Sequence, residues 1–230
     1  MICVSSYKNR HSGGRCVLVA NGPSLNSMGN LSFLRDEIVI GLNKIYLGFK
    51  KFCFYPKYYV AVNLKVIEQG AGEISRLNCL RFIDSRALEF GLLPRSPLTC
   101  FLNEHCDSAF STDLSSGYHQ GCTVTHAALQ VAYYLGFQTV VIIGLDHRYQ
   151  YQGEPGEERV LDGPDPNHFC EGYFGYGQKW DNPQLKESEI YYAHARKTYE
   201  AAGREIIDAT VGGACPVFEK RDYRDVFNIK

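Results

Sequence analysis

The chain has 230 residues, 45% of them apolar, with 24 Lys and Arg against 25 Asp and Glu. That length can bury a sizeable core, and a net charge of −1 lacks the basic excess that binding to a nucleic-acid backbone requires. No apolar run approaches the roughly 18 to 20 residues that span a bilayer, and the polar Met1 to Arg15 tail has no apolar signal core, so a cytoplasmic protein without a transmembrane segment is expected.

The first predicted strand, Cys16 to Ala20, runs into Asn21-Gly22-Pro23-Ser24. This reads as a strand-turn-helix opening, with Ser24 available to cap the helix and Gly22 letting a ligand approach the backbone. Free N–H groups at such a helix start, just beyond a strand's carboxyl end, favour an anionic ligand such as phosphate. One glycine and no following Lys-Ser/Thr distinguish the turn from a dinucleotide fingerprint or a P-loop. Strands over Glu37 to Asn43 and Tyr58 to Asn63 also end on asparagine. In a parallel sheet, Asn21, Asn43 and Asn63 would therefore converge on one crevice.

Cys79 to Asp84 and Leu98 to Leu102 are further strands, followed by a polar loop from Asn103 to Gln120. A helix over 122–136 shows Val124, Ala128, Val131 and Leu135 at helical period, with Thr123 as N-cap and Gly136 as C-cap. His126 in its first turn faces either a ligand or solvent. Thr139 to Asp146 is a continuous apolar strand of the kind covered on both faces, and it places Asp146 at its carboxyl end.

The 147–181 segment lacks periodicity but carries many aromatics among glycines, including the chain's one tryptophan, Trp180. It reads as a lid over a substrate. A helix from Asn182 to about Ala202 and a strand over Glu205 to Asp208 follow. Nine cysteines without any C-x-x-C pair argue for reduced thiols and against a zinc knuckle. The expected architecture is one α/β, Rossmann-like domain over 16–230, with a mostly parallel sheet, helices on both faces and the 147–181 lid.

These blocks, Ala20-Asn21-Gly22-Pro23-Ser24-Leu25, Val62-Asn63, and Thr123-Val124-Thr125 with Leu135-Gly136-Phe137 and Gly144-Leu145-Asp146, resemble bacterial lipooligosaccharide sialyltransferases. They are equally similar to the related group named after the MptE-type 6-hydroxymethylpterin diphosphokinase. The resemblance runs from Cys16 to about His168. The first family implies a metal-independent, inverting transfer from a CMP-activated, sialic-acid-like donor to a glycan or small-molecule acceptor, in bacterial surface glycan synthesis, without a cofactor. It further implies donor contacts from Asn21, Gly22, Ser24, Asn43, Asn63, Thr123 and Thr125, and Tyr149 and Tyr151 beside the leaving phosphate. His168 matches the first of the family's two lid histidines, while Gly172 stands where the second, the general base, would fall. His168 and Asp146 are accordingly the candidate catalytic residues. The diphosphokinase reading would instead use Mg²⁺ and ATP, with Asp146 and either Asp84 or Asp208 holding the metal. A nucleotide-binding module without catalysis is the third class, and a homo-oligomer is compatible with the sequence.

Overall fold

The computed structural model describes residues 3–104 and 107–229; Met1 and Ile2 of the predicted tail, two residues of the predicted 103–120 loop and Lys230 at the end of the predicted domain lie outside that range. Ten strands are present among them: β1 (Arg15–Val19), β2 (Val39–Leu42), β3 (Tyr58–Ala61), β4 (Leu80–Asp84), β5 (Thr99–Leu102), β6 (Thr139–Ile143), β7 (Glu158–Val160), β8 (Lys179–Asp181), β9 (Glu205–Asp208) and β10 (Glu219–Lys220). Eight of them form one sheet in the order β10-β9-β6-β1-β2-β3-β4-β5. Every pairing in it is parallel. β7 and β8 form a separate antiparallel pair within the predicted lid.

Alternate side chains of each central strand enter opposite cores, which is why these strands read as continuous apolar runs. Cys16, Leu18, Ile40, Leu42, Val60 and Ile142 pack on one face. That face is covered by the Val124–Leu135 and Leu185–Ala201 helices, whose buried contributors include Leu129, Val131, Tyr192 and Tyr199. Val17, Val19, Val39, Ala61, Val141 and Ile143 pack on the other. The second face is covered by short helices and 3-10 turns, and also by Phe169, Tyr173, Phe174 and Trp180 of the 147–181 segment. The lid aromatics thus serve as part of a core layer.

The Val124–Leu135 helix is capped as its sequence predicts. Thr123 Oγ1 accepts from the Thr125 N–H, and Gly136 takes the left-handed conformation at φ +92°. Its burial is broader than one apolar stripe: ten of its twelve residues are buried, His126 and Gln130 included. The segment ahead of β1 contributes to this, because the Asn9 and His11 N–H groups bond the Tyr134 and Leu135 carbonyls that the helix end would leave unpaired. The His11 ring stacks on Phe137 at 4.8 Å.

β1 is the strand from which the chain departs in both directions. Residues 15–102 build outward through β2 to β5, and the chain then returns to lay β6 against the free edge of β1. The carboxyl ends of β1 and β6 therefore flank a topological switch point, where open α/β sheets bind ligands.

Candidate functional site

A cavity of about 170 Å³ lies at that switch point, walled by the carboxyl ends of β1, β2, β3 and β6, the start of the Val124–Leu135 helix, and the 147–181 segment. An outer chamber of about 410 Å³ shares Asn63, Gln120, Cys122, Asp181 and Pro183 with it. The inner cavity alone is below the roughly 300 to 1,000 Å³ of small-molecule sites. The two cavities adjoin across those five shared residues.

Asn21, Gly22, Asn43, Asn63, Thr123, Thr125, Asp146, Tyr149 and His168 all line the inner cavity, whereas Ser24 and Tyr151 do not. The three strand-end asparagines sit differently from one another. Asn21 Nδ2 donates to the Leu42 carbonyl at 3.1 Å, which fixes the amide and leaves its buried Oδ1 without a partner. Asn43 adopts φ +46°, a left-handed conformation that asparagine tolerates, and its Oδ1 is also buried and unpaired. Asn63 is a helix N-cap whose Oδ1 accepts from the Lys65 and Val66 N–H groups, so only its Nδ2 remains for a ligand. Buried unpaired oxygens are uncommon in folded proteins and cost about 1 to 3 kcal/mol each. Two of them belong to residues that line the inner cavity, at the carboxyl ends of adjacent strands.

The turn after β1 departs from expectation. Ser24 does not cap a helix: Gly22 occupies the N-cap of the short Pro23–Met28 3-10 helix, and no side chain caps it. Nor are its N–H groups free for an anion. Gly22 N donates to the Gly144 carbonyl, Pro23 has no N–H, Leu25 N bonds Gly22, and Ser24 N donates to Asp146 Oδ1 at 3.0 Å. Ser24 Oγ donates to Asp146 Oδ2 at 2.5 Å. The protein's own carboxylate occupies the place where a phosphate was expected. Burial pushes the Asp146 carboxyl above the ordinary range, and the two Ser24 donors only partly oppose this.

The carboxylates proposed for a metal are similarly engaged. Asp84 is fully buried and bonded to the Arg86 guanidinium and the Tyr118 hydroxyl, and Asp208 to Lys220 and the Thr210 N–H. Among the described residues no group of three His, Cys, Asp or Glu is placed to hold a metal ion. This donor set does not fit Mg²⁺ held by Asp146 with Asp84 or Asp208.

The solved structure of the MAf glycosyltransferase from Magnetospirillum magneticum AMB-1 has a similar fold. The likeness has a TM-score of 0.56 at 11% identity, covering 96% of this chain and 37% of that one. This chain thus corresponds to well under half of that protein's length. The sequence matches no protein-family model and no curated protein. At such identity the likeness speaks to the fold.

The histidines separate by surroundings. His126 faces neither ligand nor solvent: its ring is fully buried, Nε2 lies 2.9 Å from the Ala109 carbonyl, and burial pulls its pKa down to about 3. His147 pairs with Glu189 at 2.9 Å. His168 lines the cavity with Nδ1 2.7 Å from Asp165 Oδ2 and its ring stacked on Tyr173 at 3.8 Å.

Three participants carried no signal in the sequence. Asp165, behind His168, is one. Lys44 is another: it is 4% exposed, and its Nζ donates to Gln69 Oε1 and the Tyr173 carbonyl at 2.8 Å and to Gln178 Oε1 at 3.0 Å. With only neutral oxygens as partners, burial lowers its pKa to about 8. Lys65, two residues past Asn63, bridges Glu158 at 2.6 Å and Asp181 at 2.5 Å. Both lysines tie the sheet's ligand edge to the 147–181 segment. The Asn43-Lys44 and Asn63-x-Lys65 spacings were visible, but nothing local says that a lid lies above them.

Among the described residues no helix is long and apolar enough to cross a membrane. The eight described cysteines are unpaired thiols.

Proposed function

We propose that this chain is a glycosyltransferase that takes its sugar from a CMP-activated, sialic-acid-like donor and transfers it with inversion to a glycan or small-molecule hydroxyl, without a metal. The observation that carries the reading is the pair of buried, orphaned amide oxygens, Asn21 Oδ1 and Asn43 Oδ1, on two residues that line the same cavity as His168. A donor with N–H and O–H groups along one edge would satisfy them, as the nucleoside and sugar of such a donor do. The fold likeness to the MAf glycosyltransferase supports the same class.

In this reading the nucleotide sugar lies along the carboxyl ends of β1, β2 and β3, extending toward the outer chamber. His168 takes the proton of the attacking hydroxyl as the new C–O bond forms. The anomeric C–O bond to phosphate breaks with its electron pair leaving on CMP. The Tyr149 hydroxyl and the Asn63 amide, both on the cavity wall, are the donors that would meet the charge gained by the phosphate. Asp146 holds the β1 turn through Ser24, a positioning role that suits its hydrogen bonds better than proton transfer.

Thermal-shift titration with CMP, CDP, UDP, GDP and ATP, each with and without EDTA, tests this reading, because a ligand that binds only the folded state raises apparent stability. Stabilisation by CMP that EDTA leaves unchanged is expected. Stabilisation by ATP alone, abolished by EDTA, would overturn it in favour of a metal-dependent phosphotransferase.

A further inference from the structure

We infer that Asp165 is a positioning residue which holds the His168 imidazole in one tautomer, Nδ1–H, and so presents Nε2 to the cavity as a proton acceptor. The inference rests on the proposal that His168 is the base of a group transfer, and it extends that proposal to a residue with no motif of its own.

Asp165 is 5% exposed, and all its contacts are of one kind. Oδ1 accepts from the Asn167 N–H at 2.9 Å, while Oδ2 accepts from the Phe174 N–H at 3.3 Å and lies 2.7 Å from His168 Nδ1. Burial alone would raise its pKa, but His168 and the two N–H donors outweigh this and the carboxyl lies below its ordinary value. An ionised carboxylate only accepts, so the proton between it and the imidazole resides on Nδ1. Nε2, on the opposite side of the ring, has no hydrogen-bond partner among the described residues.

Orientation is fixed as well as tautomer. The imidazole lies on the Tyr173 ring with an interplanar angle of 2°, and the Phe174 ring meets it edge-on at 5.3 Å. Rotation of the imidazole about its own axis would break both the stack and the Asp165 bond. Tyr173 is in turn held through its carbonyl by Lys44 Nζ.

Asp165, His168, Tyr173 and Phe174 all belong to one ten-residue stretch of chain, 165–174. The pair is therefore pre-assembled on the covering segment and does not depend on closure to bring its members together. When His168 takes the hydroxyl proton on Nε2, the ring becomes a cation whose Nδ1–H remains bonded to Asp165; the carboxylate stabilises that charge and takes no proton.

The test begins without substrate. Long-range ¹⁵N–¹H correlation spectra of the wild-type imidazoles should show His168 as the Nδ1–H tautomer. In Asp165→Asn the amide can donate to Nδ1, so His168 should convert to Nε2–H while circular dichroism and melting show a folded protein. Wild-type His168 found as Nε2–H, or a tautomer unmoved by Asp165→Asn, would overturn the inference whatever the reaction is.

The second arm measures CMP release from a CMP-activated nonulosonic acid in the presence of acceptor. Asp165→Asn should lower kcat by about 10²- to 10⁴-fold with KM changed less than about threefold. If the tautomer behaves as stated but His168→Ala retains most of its turnover, the assignment of His168 as base fails and takes the catalytic part of the inference with it, leaving the spectroscopic result as the mark of that distinction.

Discussion

A β-carbon on residue 22 would stand 1.8 Å from Asp146 Oδ2, so Gly22 and Asp146 occupy one space between them. Gly22 has an ordinary φ of −68°. Its requirement is therefore room, for the carboxylate first and for the Gly144 carbonyl oxygen at 2.7 Å second, and any side chain there must push Asp146 off the two Ser24 hydrogen bonds.

Gly22→Ala should consequently destabilise the fold by about 1 to 3 kcal/mol, the usual range for overpacking. Denaturant titration of Gly22→Ala, Asp146→Ala and the double variant gives the decisive comparison. The double variant should be more stable than the sum of the two losses predicts, because the larger part of the clash disappears with the carboxylate and only the 2.7 Å approach to the Gly144 carbonyl oxygen remains. Strict additivity would show that the close approach is not what the glycine is for.

The asparagines should divide by function. Asn63→Ala should cost about 1 kcal/mol of stability through the lost N-cap. Asn21→Ala should weaken CMP binding by about 1 to 3 kcal/mol, and it should also lower stability because the buried Leu42 carbonyl loses its donor. Calorimetric titration alongside thermal melting separates the two effects. An Asn21→Ala protein that binds CMP as tightly as wild type would remove Asn21 from the binding surface.

Acid should act on the fold through His126. Its folded pKa is held down at about 3 by burial, whereas the unfolded side chain titrates near about 6.5. The unfolded state then binds the extra proton first, so stability present above about pH 6.5 is lost as pH falls toward 3. His126→Gln keeps an N–H donor for the Ala109 carbonyl but cannot titrate. Between pH 6 and pH 4 its stability should fall less steeply than that of wild type, by about 1.4 kcal/mol per pH unit at most. Parallel curves would place the acid sensitivity elsewhere.

Proteolysis should read the two parts of the 147–181 segment differently. Tyr176 is 83% exposed, while Phe169 and Tyr173 are 2% and 1% exposed within a core layer. Brief chymotrypsin treatment should cut first after Tyr176 and spare the bonds after Phe169 and Tyr173, with CMP slowing the first cut. Early cleavage after Tyr173 would mean that this layer opens readily.

The central strands were legible because both of their faces are buried, and the Val124–Leu135 helix because its caps are local. What could not be read were pairings set by distance along the chain. Nothing in Asn21-Gly22-Pro23-Ser24 announces that a carboxylate 122 residues away will consume the N–H groups left for an anion. Asp165 sits in a run with no period, and Lys44 acquires its meaning only when Tyr173 and Gln178 are laid over it. Two- and three-residue strands such as β10, β7 and β8 are too short to carry an alternation.

The position of β1 also bears on how the chain is made. Its pairing with β2 is available once residue 42 has been synthesised, but its other edge is completed only by β6, which begins at Thr139. At about 5 to 20 residues per second, the intervening stretch takes roughly 5 to 20 s to emerge. Throughout that interval a fully apolar strand edge, Cys16 to Val19, stands open on the nascent chain, a template for pairing with another molecule. In the finished sheet β6 covers that edge, so the edge protection β1 receives from β6 is the last it gains as the chain emerges.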